Sequence, residues 1–161
     1  MIVIVMGVVG SGKTTVGSLL AAELGWQFAD ADDFHPQSNV EKIRHGIPLT
    51  DADRQPWLER LRREINDWIA RHRNVVLACS ALKRAYRQKL DTGLEVRFVY
   101  LKGSASLIAE RLRSRHGHFA NEQILSSQFD DLEEPKNAVT VEIDATPQQV
   151  LAEIRQKLGL A

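Results

Sequence analysis

The sequence predicts an α/β fold, a five-stranded parallel sheet with helices on both faces, and three observations predict it. Five short, mostly apolar runs recur along the 161 residues. Stretches with apolar residues three and four positions apart separate them. The first run, Ile2-Val3-Ile4-Val5-Met6, shows no alternation, as a strand covered on both faces requires. Strands alternating with helices imply right-handed crossovers and hence parallel pairing. In such sheets ligands sit at the carboxyl ends of the strands. The places to look therefore follow Met6, residues 28–30, Cys79 and Leu101.

Each element has its own signal. After a glycine-rich turn, Val16, Leu19, Leu20 and Leu24 recur at helical spacing, and Gly25 stops the helix. Residues 26–29 read as the second strand, ending at Asp30. Residues 38–45 form a short helix stopped by Gly46. Thr50 and Asp53 make a capping box that opens the next helix, whose apolar stripe is Leu58, Leu61, Ile65, Trp68 and Ile69. Residues 75–79 are the third strand, 83–90 a short helix and 96–101 the fourth strand. Leu107, Ile108 and Leu112 mark another helix, followed by a loop containing Gly117. Ile124, Leu125, Phe129 and Leu132 mark one more. Residues 139–143 are the fifth strand. Thr146 caps the last helix, with Pro147 at its first position.

Composition narrows the function. Lys+Arg and Asp+Glu number 21 each, so the net charge is zero. A neutral chain lacks the field that wraps nucleic acid or an anionic membrane. A bound anion must then be held by a local site. Hydrophobic residues make up 43% and charged residues 26%, ordinary values for a globular protein. The lone Cys79 cannot form an internal disulfide, which suits a reducing compartment. No apolar run is long enough for a membrane span, so the expected location is the cytoplasm.

Gly7-Val8-Val9-Gly10-Ser11-Gly12-Lys13-Thr14 matches the phosphate-binding pattern G-x-x-x-x-G-K-[ST], between a buried strand and a helix. Glycines let successive N–H groups turn inward around phosphate oxygens, and the helix N-terminus adds partial positive charge. Lys13 reaches the β and γ phosphates, Thr14 offers a hydroxyl to Mg²⁺, and Thr15 continues the cradle. The chain has no N-K-x-D guanine motif, which favours ATP over GTP. Its third strand ends in Cys79-Ser80 instead of an aspartate, so a carboxylate for the magnesium shell must come from elsewhere. Asp30, Asp32 and Asp33, at the end of the second strand, are the candidates. This strand is expected near the first, with its end facing the loop. Asp32 is the candidate base for an acceptor hydroxyl attacking the γ-phosphate. Asp30 is the candidate magnesium-side or second acid, and Asp33 a helix cap. The assignment among the three stays open. His35 is a candidate hydrogen-bond partner of the acceptor.

The next stretch resembles a known family. Asp32-Asp33-Phe34-His35-Pro36, Asn39, Lys42, Gly46, Pro48-Leu49, Asp51, Asp53-Arg54 and Pro56-Trp57-Leu58 resemble the signature of gluconokinases. Cys79-Ser80-Ala81-Leu82-Lys83 with Tyr86-Arg87 resembles a second signature. Gly117-His118-Phe119 and Ser127-Gln128-Phe129, with Leu132-Glu133 and Pro135, resemble a third. The resemblance implies a single three-layer P-loop kinase domain over residues 1–161, with a small lid at about 115–135 and often a homodimer. It also implies transfer of phosphate from ATP to D-gluconate, giving 6-phospho-D-gluconate. The family commonly has a proline soon after the lid His-Phe, whereas Ala120-Asn121 stands here.

That chemistry assigns further roles. A sugar acid needs a cation for its carboxylate and polar partners for its hydroxyls. Arg54, Lys83 and Arg87 are the candidate cations, Lys83 and Arg87 sharing a helix face at i and i+4. Ser80, His118 and Gln128 are candidate substrate contacts, the amide of Gln128 able both to donate and to accept. Arg115, beside Gly117, is the candidate lid arginine that stabilises charge on the transferring group and excludes water. Arg111 is the candidate contact to adenine or phosphates. Trp57 is expected to pack. His116 and His118, with no third ligand, do not make a zinc site.

Overall fold

The computed structural model describes residues 1–116 and 122–160, without the side chains of residues 115, 116, 122 and 123. Five strands, β1 (Ile2–Met6), β2 (Gln27–Asp30), β3 (Val75–Ala78), β4 (Val96–Lys102) and β5 (Val139–Glu142), form one parallel sheet in the order β2-β3-β1-β4-β5. Every residue of β1 is buried, as its unbroken apolar run predicts. β1 is the central strand, paired to β3 on one side and β4 on the other.

The strands present alternate residues to the two faces, and each face builds its own core. Val3, Val5, Val76, Val99 and Val141 meet Leu20 of α1 (Lys13–Leu24), Ile108 and Leu112 of α5 (Ala105–His116), Leu125 of α6 (Glu122–Asp131) and Ile154 of α7 (Pro147–Leu158). Ile2, Ile4, Met6, Val75 and Leu77 meet Leu58, Leu61 and Ile65 of α3 (Asp51–Ala70) and Leu90 of α4 (Arg84–Leu90). Between β2 and α3 stand a 3₁₀ turn, Ala31–Phe34, and α2 (Gln37–Arg44).

Both predicted N-terminal caps are present. Thr50 and Asp53 exchange side-chain-to-backbone bonds at the start of α3, and Thr146 and Gln149 do the same for α7. The expected closeness of β2 to β1 takes an indirect form, because β3 lies between them. The acidic end of β2 still reaches the loop after β1, since all strands run the same way and their carboxyl ends share one edge.

Candidate active site

The loop at residues 7–14 leaves β1 and runs directly into α1. Gly10 and Gly12 take left-handed conformations, with φ of 80° and 96°. Gly10 is also forced by packing, because a Cβ there would lie 2.8 Å from the buried Leu112 side chain. Ser11 N–H donates to the Val8 carbonyl at 3.1 Å, closing the turn. No side chain caps the start of α1, so its first N–H groups are offered to an anion. Lys13 curls back, its Nζ donating to the Val8 carbonyl at 3.1 Å. Burial lowers the Lys13 pKa, while Asp32, Cys79 and Asp30 oppose that shift. Lys13 and the acidic turn thus form one electrostatic cluster.

Asp30, the last residue of β2, ties the turn to the loop. Its Oδ1 accepts from Asp32 N–H at 3.0 Å, and its Oδ2 accepts from Thr14 Oγ1–H at 3.4 Å. A hydroxyl beside a carboxylate is a hard oxygen pair that suits Mg²⁺, an ion that takes few protein ligands when phosphates supply the rest. Asp32 is differently placed. Its carboxylate tip faces solvent, but the flanking protein first and the Asp30 charge second raise its pKa above the usual carboxylate value, with Lys13 opposing. Exposure of the tip screens these influences. Burial pushes the Cys79 thiol up to about 12, which removes it as a nucleophile at neutral pH.

Beyond Asp32 the wall continues through a packed aromatic pair. His35 stacks on Trp57 with centroids 4.4 Å apart. Trp57 packs as expected and also donates its indole N–H to the Ala31 carbonyl at 2.7 Å, anchoring the acidic turn to α3. Arg54, one turn before Trp57, is close enough to depress the His35 pKa further after burial has lowered it. The Arg54 guanidinium donates to Tyr86 Oη at 3.0 Å. Tyr86 O–H donates to Asp51, and Lys83 Nζ donates to the same carboxylate oxygen at 3.0 Å. The Tyr86 and Lys83 bonds hold the Asp51 pKa below its ordinary value. Lys13, Asp32, His35, Arg54 and Lys83 therefore line one continuous wall.

Two expected substrate contacts bond to the protein's own main chain. Arg87 is 9% exposed and donates to three main-chain carbonyls, Ala81 at 2.7 Å, Leu82 at 3.0 Å and Glu133 at 2.7 Å. Lys83 is the N-cap of α4, and these bonds hold the Arg87 guanidinium against the turn that precedes the helix. Gln128 bonds the phosphate loop, its Oε1 accepting from Val9 N–H at 2.6 Å. Leu125, three residues earlier on the same face of α6, is buried in the core beside Leu112, and this places Gln128 over the loop. Ser80 meets the loop through its main chain, its carbonyl accepting from Gly7 N–H at 3.4 Å. The Arg115 side chain and His118 lie outside the described residues.

On the opposite side of the loop a cavity of about 540 Å³ is bounded by Gly10, Ser11, Thr15, Arg111, Ile143 and Pro147, among others. Arg111 donates to the Ile143 carbonyl at 2.6 Å. The loop thus has this cavity on one side and, through the Thr14–Asp30 bond, the acidic turn on the other.

A family model described as an AAA domain matches residues 2–135. A probable gluconokinase of Xenopus tropicalis is 44% identical, with 96% of this chain and 91% of that protein covered. A gluconokinase of Gluconobacter oxydans is 43% identical, over 94% of this chain and 87% of that protein. The chain belongs to the gluconokinase family. The crystal structure of a gluconokinase from Sinorhizobium meliloti 1021 superposes with a TM-score of 0.87 at 40% identity, covering 98% of this chain and 90% of that one. Within this gluconokinase-family fold, Asn39 and Tyr86, which the sequence places in the signatures without a role, bond to His35, Arg54 and Asp51. Asn39 is 2% exposed and donates to both His35 and the Asp53 carbonyl. An asparagine four residues after a histidine was the available signal.

Proposed function

We propose that this chain transfers the γ-phosphoryl group of ATP to O6 of D-gluconate, giving 6-phospho-D-gluconate and ADP. The observation that carries the reading is the continuous wall from Lys13 through Asp32 and His35 to Arg54 and Lys83. It pairs a phosphate cradle and an acid at one end with cations at the other, the pattern needed by an acceptor that is an alcohol at one end and a carboxylate at the other.

In this reading the loop N–H groups and the N-terminus of α1 hold the phosphates, and Lys13 neutralises oxygens of the transferring group. Thr14 and Asp30 would hold Mg²⁺. When bound, the ion neutralises the phosphate oxygens and orients them. Arg54 and Lys83 receive the sugar-acid carboxylate, with Ser80 at the neighbouring strand end. O6 attacks the γ-phosphorus as its proton passes to Asp32, and the bond from that phosphorus to the oxygen bridging to the β-phosphate breaks. The raised Asp32 pKa makes that carboxylate the stronger base. Arg111 and the cavity beside it take the nucleoside end. The family resemblance assigns Arg115 and His118 to a lid at about residues 115–135, whose role would be to exclude water from the transferring group. Gln128 and Arg87 support the loop and the 81–83 turn.

The enzyme works as a homodimer in the cytoplasm, a reading supported by the family resemblance and by the free, buried Cys79. No helix among the described residues is long and apolar enough to cross a membrane. A coupled ADP-release assay tests the function across gluconate, other aldonates and shikimate. Asp32→Asn is expected to keep ATP binding and lower turnover at least ~10²-fold. Normal turnover in that variant refutes Asp32 as the base, and no activity with any sugar acid refutes the function.

A further inference from the structure

We infer that Asn39 is a positioning residue: it fixes His35 as the Nε2–H tautomer, so that His35 and Asp32 bracket the acceptor hydroxyl as donor and base. The inference rests on the reading of Asp32 as the base. It starts from a carbonyl. Asn39 is buried, 2% exposed, and the end of its amide that faces the Asp53 main-chain carbonyl, at 2.8 Å, must be the nitrogen, because a carbonyl only accepts. The same nitrogen lies 3.2 Å from His35 Nδ1. An amide NH₂ has two hydrogens and no accepting lone pair available, so its second hydrogen points at Nδ1, and Nδ1 accepts. The ring hydrogen is then on Nε2.

Nε2 faces Asp32. Their separation, Nε2 to Oδ1, is 4.0 Å, too long for a direct hydrogen bond. It is the right length for one oxygen between them: an oxygen about 2.8 Å from both subtends an angle of about 90° at itself. A hydroxyl there accepts from Nε2–H and donates its own hydrogen to the Asp32 carboxylate. That polarity aligns the hydroxyl's proton with the base and leaves a lone pair for the phosphorus. The opposite tautomer would put a bare nitrogen beside a carboxylate, with two acceptors competing for one hydrogen.

The surroundings keep the arrangement in place. The His35 side chain is only 5% exposed, and its stack on Trp57 at an interplanar angle of 14° fixes the ring plane. The charged groups around it are Asp32 on the 3₁₀ turn and Arg54 on α3. Burial first and Arg54 second push its pKa down to about 4, so the ring is neutral at neutral pH and does not weaken Asp32 as an imidazolium would.

The test is long-range ¹H–¹⁵N NMR of the full chain at neutral pH, with His35 assigned by loss of its signals in His35→Phe. Nε2 is expected to carry the hydrogen and Nδ1 to be bare; the reverse overturns the inference. Asn39→Asp replaces the donor with an acceptor and inverts the ring. It is expected to lower kcat with gluconate by about 10–100-fold, as outer-shell changes do, with the KM for ATP within about twofold. Unchanged kcat in an inverted ring overturns the inference. Should that variant not fold, His35→Phe keeps the stack and removes the N–H. It is expected to lose at least about tenfold in kcat/KM for gluconate, and wild-type activity in it overturns the inference. The ring measurement is independent of turnover. A bare Nε2 therefore sinks the inference even where Asp32→Asn is inactive, and a normally active Asp32→Asn sinks the base assignment even where Nε2 carries the hydrogen.

Discussion

Replacing Arg87 by alanine separates a structural cation from a substrate-binding one. The guanidinium donates to the carbonyls of Ala81, Leu82 and Glu133. It thereby clamps the turn after β3 to the segment after α6. The Leu82 carbonyl keeps a partner in the variant, because Glu133 N–H also donates to it at 2.8 Å. The Ala81 and Glu133 carbonyls lose theirs. Hydrogen bonds to a charged donor contribute roughly 1.5–3 kcal/mol each, so two uncompensated losses amount to about 3–6 kcal/mol. Ala81 adds to the cost of failure. Its φ of 45° is a left-handed conformation that costs an alanine roughly 1–2 kcal/mol, and the bond to its carbonyl helps hold it. Against a total stability of about 5–15 kcal/mol for a domain, this is a large fraction. With a urea slope of about 2 kcal/mol/M, the unfolding midpoint is expected to fall by about 1.5–3 M. KM values for gluconate and ATP, measured where the variant is folded, are expected to change by less than about threefold. Arg87→Lys is expected to recover only part of the midpoint, because a point charge cannot span three carbonyls. An unchanged midpoint with a gluconate KM raised at least tenfold would refute the clamp and return Arg87 to the substrate.

Trp57→Phe retains a ring against His35 but leaves the Ala31 carbonyl without its indole partner in a buried place. A loss of about 2–3 kcal/mol in urea unfolding is expected, and a loss under about 0.5 kcal/mol contradicts that anchor. The buried, neutral His35 predicts a pH dependence. Its folded pKa, about 4, lies below its ordinary value of 6.5, so the unfolded chain binds more protons between those values. Its stabilising effect is complete above that window and is lost as pH falls through it. Between pH 7 and pH 5 the wild type is expected to lose about 1–2 kcal/mol relative to His35→Phe, after discounting for solvent around the ring, and a pH-independent difference argues against a neutral buried ring. Gly10→Ala places a Cβ 2.8 Å from Leu112 at a φ of 80°. It is expected to cost about 2–3 kcal/mol in thermal unfolding and to raise the KM for ATP at least tenfold; wild-type values in both would show that the loop tolerates a side chain there.

Much of the fold was legible because its signals are local. The unbroken apolar run of β1 reports burial on both faces without reference to any neighbour. The glycines and Lys13 of the loop report a phosphate cradle because only a few residue types permit that backbone. The Thr50–Asp53 capping box and the Thr146-Pro147 helix start lie within four residues of chain. The acidic turn was legible for the same reason, since Asp30 to His35 are contiguous and one strand end aims them.

Where side chains with several possible partners end up was decided by tertiary structure. Arg87 and Gln128 looked like substrate contacts from their types and from the family resemblance. Arg87 finds Glu133 46 residues away and Gln128 finds Val9 119 residues away, distances over which chain spacing carries no directional information. The strand order is a similar case. Periodicity announces five strands, but placing β3 between β1 and β2 depends on which crossover packs against which sheet face. The amino-acid sequence by itself determined the chemistry available at the carboxyl edge of the sheet: an anion cradle, acids beside it and cations beyond. Tertiary packing decided which of those groups face the cleft and which brace it, because a guanidinium or an amide goes to whichever carbonyl or N–H the folded backbone leaves unpaired within its reach.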